Sequence, residues 1–277
     1  MKAISILTFL MISLPIFGQE NLTFLKNWKS YPVPTDEDTL YQYSWSPNNW
    51  IVYSDKDDVR VDEILIKKPE DKLPFKISQS NGNITNIAAP LCGLSDVEEV
   101  DDGYLTGFNR GEYGGELYWF SKDGKKRYEV SGHQIVQFIK RDDKIYAIAG
   151  LAHLTTSKGS IIEIEKKKKK WVATEYLKLP TTPVAIQLDS KGNFIVVTDG
   201  INWSFNKAGM CVINATPGLF SIDRDANIDT LVKAGMWGDY LYPSSMVIQN
   251  GVVYIGMRKG VYKFDLTTKK DEWLLPE

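Results

Sequence analysis

The sequence predicts an all-β protein built from a recurring four-strand unit. Three observations carry that expectation. The C-terminal run reads as four short strands joined by turns, the same pattern returns at intervals of about 40 to 60 residues, and a glycine precedes the third strand of each copy (Gly115, Gly159, Gly218, Gly260).

The C-terminal copy, Ser244 to Leu275, is the clearest. Met246 to Ile248 is an apolar strand, Asn250-Gly251 a two-residue turn, Val252 to Met257 an aromatic strand, and Lys259-Gly260 a second tight turn. Val261 to Leu266 and Glu272 to Leu275 complete the meander. Asn-Gly readily takes the positive φ values that a two-residue hairpin needs. Val252 to Gly256 (VVYIG) is apolar on both faces, so other sheets must cover both sides and the Tyr254 strand should be central.

From the N-terminus, residues 1–18 carry Lys2, an apolar stretch from Ile4 to Leu14, Pro15 and a small Gly18. This is the form of a cleaved signal peptide and is too short for a spanning helix, so an exported chain (periplasmic or secreted) without a membrane span is expected. The short leader and the lysine-rich turns have a bacterial character. Residues 19–277 then form one domain, since no Pro/Gly/Ser-rich linker divides them. The first copy is degenerate: Tyr41 to Asp55 supplies a hairpin around Ser46 to Asn49, and Val61 to Gln79 a second around Pro69 to Lys72.

Regular copies follow. Ser95 to Phe108 with Gly115 to Val130, then His133 to Gly150 with Gly159 to Leu177, then Pro183 to Thr198 with Gly218 to Val232 each give two hairpins, their second strands centred on Leu105, Tyr146 and Ile195. Four-strand units of this size resemble the blades of β-propellers, over nearly all of the mature chain and in topology alone, without a Trp-Asp signature. The resemblance implies five blades, with approximate units 35–92, 93–132, 133–180, 181–235 and 236–277. Six blades follow if Ser80 to Leu94 and Asn21 to Tyr43 form another unit, and a β-sandwich or a pair of small barrels is the alternative architecture.

A propeller would gather the connections between second and third strands, and those between blades, at one end. Here these are Asn109 to Gly114, Leu151 to Lys158, Asp199 to Pro217 and Arg258 to Lys259, with His133, Thr181, Thr182, Trp237, Tyr240 and Tyr242 at junctions. The resulting candidate binding set is Arg110, Glu112, Tyr113, His153, Trp203, Asn206, Trp237, Tyr240, Tyr242 and Arg258. Asp199 to Pro217 stands out, because its length exceeds what a turn needs and it carries Trp203 and Phe205, either folded over the end of the molecule or presented to a ligand. Aromatics beside Arg, Asn and His suit a protein, glycan or small molecule.

Nothing in the sequence fixes a reaction. The nucleophile elbow, the zinc-helix motif and the phosphate-cradling loop are missing, so catalytic residues are unassigned and neither cofactor nor metal is expected. A net charge of −2 offers no field for nucleic acid. Lys166 to Lys170 reads as a solvated turn; Cys92 and Cys211 need not pair; Asn21, Asn83, Asn202 and Asn214 begin glycosylation triplets. The first expectation is therefore a monomeric exported binding module. Alternatives are a hydrolase or lyase using His153 with an arginine, and an inhibitor or immunity-type protein that plugs a partner's active site.

Overall fold

The computed structural model describes residues 23–56, 58–63, 68–77, 93–154, 156–233 and 240–277. The leader, Cys92, Trp237, the triplets at Asn21 and Asn83, and nearly all of Ser80 to Leu94 in the stretch proposed for a sixth unit lie outside these residues; the other part of that stretch, Asn21 to Tyr43, is described from Thr23 on and is divided among two short strands and a helix. The described chain is all-β with one α-helix. Its strands are β1 (Thr23–Phe24), β2 (Lys29–Tyr31), β3 (Ile51–Asp55), β4 (Asp58–Asp62), β5 (Leu94–Val100), β6 (Gly103–Phe108), β7 (Leu117–Ser121), β8 (Arg127–Ser131), β9 (Ile135–Arg141), β10 (Lys144–His153) and β11 (Thr156–Lys167). They continue as β12 (Lys170–Leu179), β13 (Thr182–Leu188), β14 (Phe194–Asp199), β15 (Asn202–Phe205), β16 (Cys211–Ala215), β17 (Gly218–Ile222), β18 (Ile228–Lys233), β19 (Ser245–Gln249), β20 (Val252–Gly256), β21 (Val261–Asp265) and β22 (Asp271–Leu275). The helix α1 is Glu37–Ser44.

Three sheets have four antiparallel strands each: β5-β6-β7-β8, β12-β11-β10-β9 and β13-β14-β17-β18. The C-terminal sheet gains a fifth, β19-β20-β21-β22-β2, because Lys29–Tyr31 pairs with Trp273 to Leu275. The turns follow the predicted chemistry: Asn250 and Gly251 have φ of 53° and 78°, and β20 is flanked by β19 and β21. Val253 and Ile255 are fully buried while Tyr254, on the other face, is only half covered.

The cores lie between sheets. Val100, Leu105, Leu117, Ile135, Ala147, Ile162 and Ile164 join the first four-strand sheet to the second; Tyr146, Ile148, Ile161, Ile186, Phe194 and Val196 join the second to the third. Ala185, Ile195, Leu219, Met246, Ile255 and Tyr262 then join the third to the C-terminal sheet, with Leu40 of α1. A sheet clad on both faces is what the doubly apolar strands require.

The first strands of successive sheets lie side by side, β5 against β9, β9 against β13, β13 against β19 and β19 against β3. Polar side chains satisfy the edge groups that these unladdered neighbours leave open. Asp96 accepts from Phe138 N (2.8 Å) and Ser95 donates to Ile135 O (2.6 Å). Gln137 both accepts from Ile186 N (3.1 Å) and donates to Ile186 O (3.2 Å), Gln187 donates to Met246 O (3.4 Å), and Ser245 accepts from Val52 N (2.8 Å).

The N-terminal segment departs from expectation. Tyr41 to Ser44 is not strand but the end of α1, which Asp36 starts by accepting from Thr39 N at 2.8 Å, with Glu37 and Asp38 in the favourable first turn. Tyr43 spends its aromaticity on stacking against Trp273 (6.1 Å). The hairpin turns at Lys56 (φ 55°) instead of Ser46 to Asn49, and Pro69–Lys72 is a 3₁₀ turn, so β1-β4-β3 is a three-stranded sheet. Lys166 to Lys170 form an exposed turn as expected, and Lys166 in addition bonds Asp102 (2.7 Å), which also accepts from Trp171 Nε1 (3.1 Å) and Trp119 Nε1 (3.3 Å). No helix among the described residues is long and apolar enough to cross a membrane.

Candidate functional site

Three of the predicted connections are tied together at one end of the second sheet. Asn109 bends its own chain by accepting from Gly111 N (2.9 Å), and a 3₁₀ turn, Gly111–Tyr113, follows. Gln134 donates to Gly111 O (2.5 Å), Asn109 donates to Gly150 O (3.4 Å), and Glu112 meets His153 Nε2 at 3.2 Å. Ser157, fully buried, accepts from Thr182 N (2.8 Å) and donates to Asp199 O (2.9 Å), while Asn202 donates to Ser157 O (3.1 Å). Tyr113 stands 79% exposed beside this network. Arg110 is forked onto Glu116 and little exposed, so its charge is committed inside the protein.

Leu151 to Lys158 is not a loop. β10 and β11 remain paired as far as His153 and Thr156, with Leu154 at the turn (φ 52°). Asp199 to Pro217 is ordered as expected, but as a separate two-stranded ribbon, β15-β16. Its register opposes Trp203 to Ile213 and Phe205 to Cys211, so these four share a face, while Ser204 and Asn214 bond each other (3.2 Å) on the other. Trp203 meets the Phe205 ring edge-on at 5.2 Å. Phe205 is 66% exposed and Ile213 59%. Asn206 closes the tip by accepting from Ala208 N (2.9 Å) and Met210 N (3.0 Å), and Cys211 is a free, exposed thiol.

The remaining predicted residues form a second group around α1. Arg258 donates to Ser44 O (2.6 Å) and its guanidinium lies 4.5 Å from the Tyr242 ring, while Tyr240 donates to Glu37 (3.3 Å). These contacts fasten the helix to the C-terminal sheet. At the connections between successive sheets His133 Nδ1 faces Ser131 Oγ (2.9 Å), and the buried Thr181 donates to Thr198 (2.7 Å). Among the described residues, no group of three His, Cys, Asp or Glu side chains could hold a metal.

A cleft of about 470 Å³ opens at the same end, against the second sheet. Ala149, Ser160 and Lys178 oppose one another across β10, β11 and β12, and all three line it. Along β11, Ile164 and Ile162 fill the interface with the first sheet; at Ser160 and Lys158 the side chains become small and then charged, and the interface parts. Lys158, Ser160, Glu175 and Lys178 were not singled out from the sequence. The signal was there, in an alternating face that changes from isoleucine to serine and lysine.

The most displaced hydroxyl titrations belong to strand pairs elsewhere. Burial, then the hydrogen bond to Asp62, pushes Tyr53 up to about 12. Burial, then the Asp271 charge, raises Tyr262 further.

No protein-family model and no curated protein matches the chain. Solved structures similar to it include the extracellular domains of the putative one component system and of the putative hybrid two component system BT4673 from B. thetaiotaomicron. Both are 10% identical, with TM-scores of 0.43 and 0.44 over 89% and 88% of this chain and 29% of theirs. MPT-4, a mannose phosphorylase from Leishmania mexicana, is similar at 10% identity and a TM-score of 0.34 over 65% of this chain and 66% of that one. The chain spans less than a third of the two B. thetaiotaomicron structures.

Proposed function

We propose that the sheets are the blades of a five-bladed β-propeller and that the protein is an exported module which binds another protein through the β15-β16 ribbon. The succession of first strands from β5 to β19 and on to β3, each stitched to the next by a polar side chain, supports the blade reading. The leader-like residues 1–18 support export. The observation that carries the binding reading is the ribbon itself: it belongs to none of the large sheets, and it turns Trp203, Phe205, Cys211 and Ile213 to one side, where Phe205 and Ile213 stay exposed. Exposed apolar surface on an ordered element marks contact with a partner. Such a ribbon also fits an inhibitor that plugs an active site, and loss of the partner's activity on binding would distinguish that form.

The partners of the residues in the hydrolase or lyase alternative do not support His153 acting with an arginine. His153 faces Glu112, Arg110 is spent on Glu116, and Arg258 serves Ser44. The binding reading is tested with Phe205→Ser/Ile213→Ser, which should melt within about 1 kcal/mol of native yet lose roughly 2 kcal/mol or more of affinity for any partner found by screening secreted proteins. Unchanged affinity, or loss of binding through unfolding alone, overturns it.

A further inference from the structure

We propose that the cleft against the second sheet is a site for a small anionic molecule, a carboxylate or phosphate ester of sugar size. This goes beyond the ribbon reading and does not depend on it.

Three observations converge. The space, about 470 Å³, lies within the range of small-ligand pockets, and most of its wall comes from the paired strands β10, β11 and β12, with Gly132 to Gln134 and Pro180 from the adjoining connections. Its chemistry is polar and cationic. Lys158 makes no ion pair among the described residues, and Lys178 has only a 4.0 Å contact to Glu175, with both of those side chains well exposed. The lining thus carries two lysines against one glutamate. At the base, Ser160 is nine-tenths buried yet its hydroxyl has no partner among the described residues, and His133 has Nε2 left once Nδ1 has met Ser131. A hydroxyl donor at the floor with two flexible cations at the rim is the arrangement that receives an anionic group, because charge-assisted hydrogen bonds are about twice as strong as neutral ones.

The lining also excludes ligands. Among the described residues it contains no Phe, Tyr or Trp to stack a neutral sugar or an aromatic ring. The Ser157 hydroxyl is spent on Asp199 O, while Asn202 donates one amide hydrogen to Ser157 O and keeps a second that can face the cleft. Specificity must then come from charge, and binding should weaken with ionic strength.

The test is calorimetric titration of the full chain with glucuronate, glucose 6-phosphate and glucose. At least one of the two acids should bind, and which one does separates the carboxylate from the phosphate source; glucose should bind at least about tenfold more weakly. Lys158→Ala/Lys178→Ala, at exposed positions that leave folding intact, should weaken the acid about tenfold or more and flatten its salt dependence. Phe205→Ser/Ile213→Ser should leave acid binding unchanged, which separates this site from the ribbon. Failure of both acids to bind, glucose binding as well as either acid, or full affinity in the double lysine variant overturns the proposal.

Discussion

The connections between the second and third strands of two neighbouring sheets occupy the same place in the repeat and end differently. In the second sheet, β10 and β11 simply lengthen, paired without a register shift from Ile145↔Ile164 to His153↔Thr156. In the third, the β14-β17 ladder stops at Val197↔Leu219, and Gly200 (φ 72°) turns the chain away to pair with itself as β15-β16. The difference is cover. Gly159 of the long hairpin lies under Pro183 of the next sheet, where a Cβ would come within 2.2 Å of Pro183 Cδ. Phe205 and Ile213 on the ribbon's apolar face stay exposed among the described residues, and a Cβ on its Gly209 would meet nothing within 4 Å. Added strand length is structural where a neighbour clads it and is available for recognition where none does.

Substitutions sharpen the contrast, beginning with tryptophans. Trp273 is fully buried and stacked on Tyr43, so Trp273→Ala should cost about 3 to 5 kcal/mol in denaturant unfolding. Trp203→Ala, at a half-buried side chain that meets Phe205 edge-on, should cost less, about 1 to 2 kcal/mol. A large loss for Trp203 would mean that the ribbon is part of the core. Glycines should follow the same order. Gly159→Ala forces Pro183 or Thr181 to move and should cost about 2 to 3 kcal/mol, against about 1 kcal/mol for Gly209→Ala, where only the positive φ of 76° is strained. Equal melting temperatures for these two variants would break the comparison.

A smaller effect should appear at Asp102, which ties the β5-β6 turn to the lysine-rich β11-β12 turn. Burial alone would raise its carboxyl, but hydrogen bonds from Lys166, Trp171 and Trp119 outweigh that and hold it below the usual range. A depressed folded-state value contributes stability above the unfolded value, near 3.8, that is lost as pH falls through the folded value. Asp102→Asn should therefore cost about 1 to 2 kcal/mol at pH 6 to 7, and the gap to native should shrink as pH falls below about 4. A gap independent of pH would show that shape and not charge joins these turns.

Much of the fold was legible because its signals are local. Asn250-Gly251 announces a turn by its φ preference, and VVYIG announces a strand clad on both sides. The helix α1 was also legible, in Asp36 followed by Glu37 and Asp38, but the aromatics Tyr41 and Tyr43 argued for strand, and only the structure shows Tyr43 stacked on Trp273 and Tyr41 edge-on to Trp45. The candidate site was legible in part. Glu112 and His153 do meet, and the long third connection is ordered and apolar, whereas Lys158, Ser160 and Lys178 come together only because three strands bring them into register.

The sequence by itself determined the strands, most of their turns and the recurrence of the unit, because alternation, positive-φ residues and glycine spacing act within a few residues. Only the tertiary structure decided that Lys29–Tyr31 would join a sheet made from the other end of the chain, that Arg110 would be neutralised by Glu116 and Lys166 drawn to Asp102, and that the ribbon would stand apart with an uncovered face. Each of these depends on which surfaces meet across a long stretch of chain. A side chain's period and charge set what it can contact; the packing of sheets sets what it does contact.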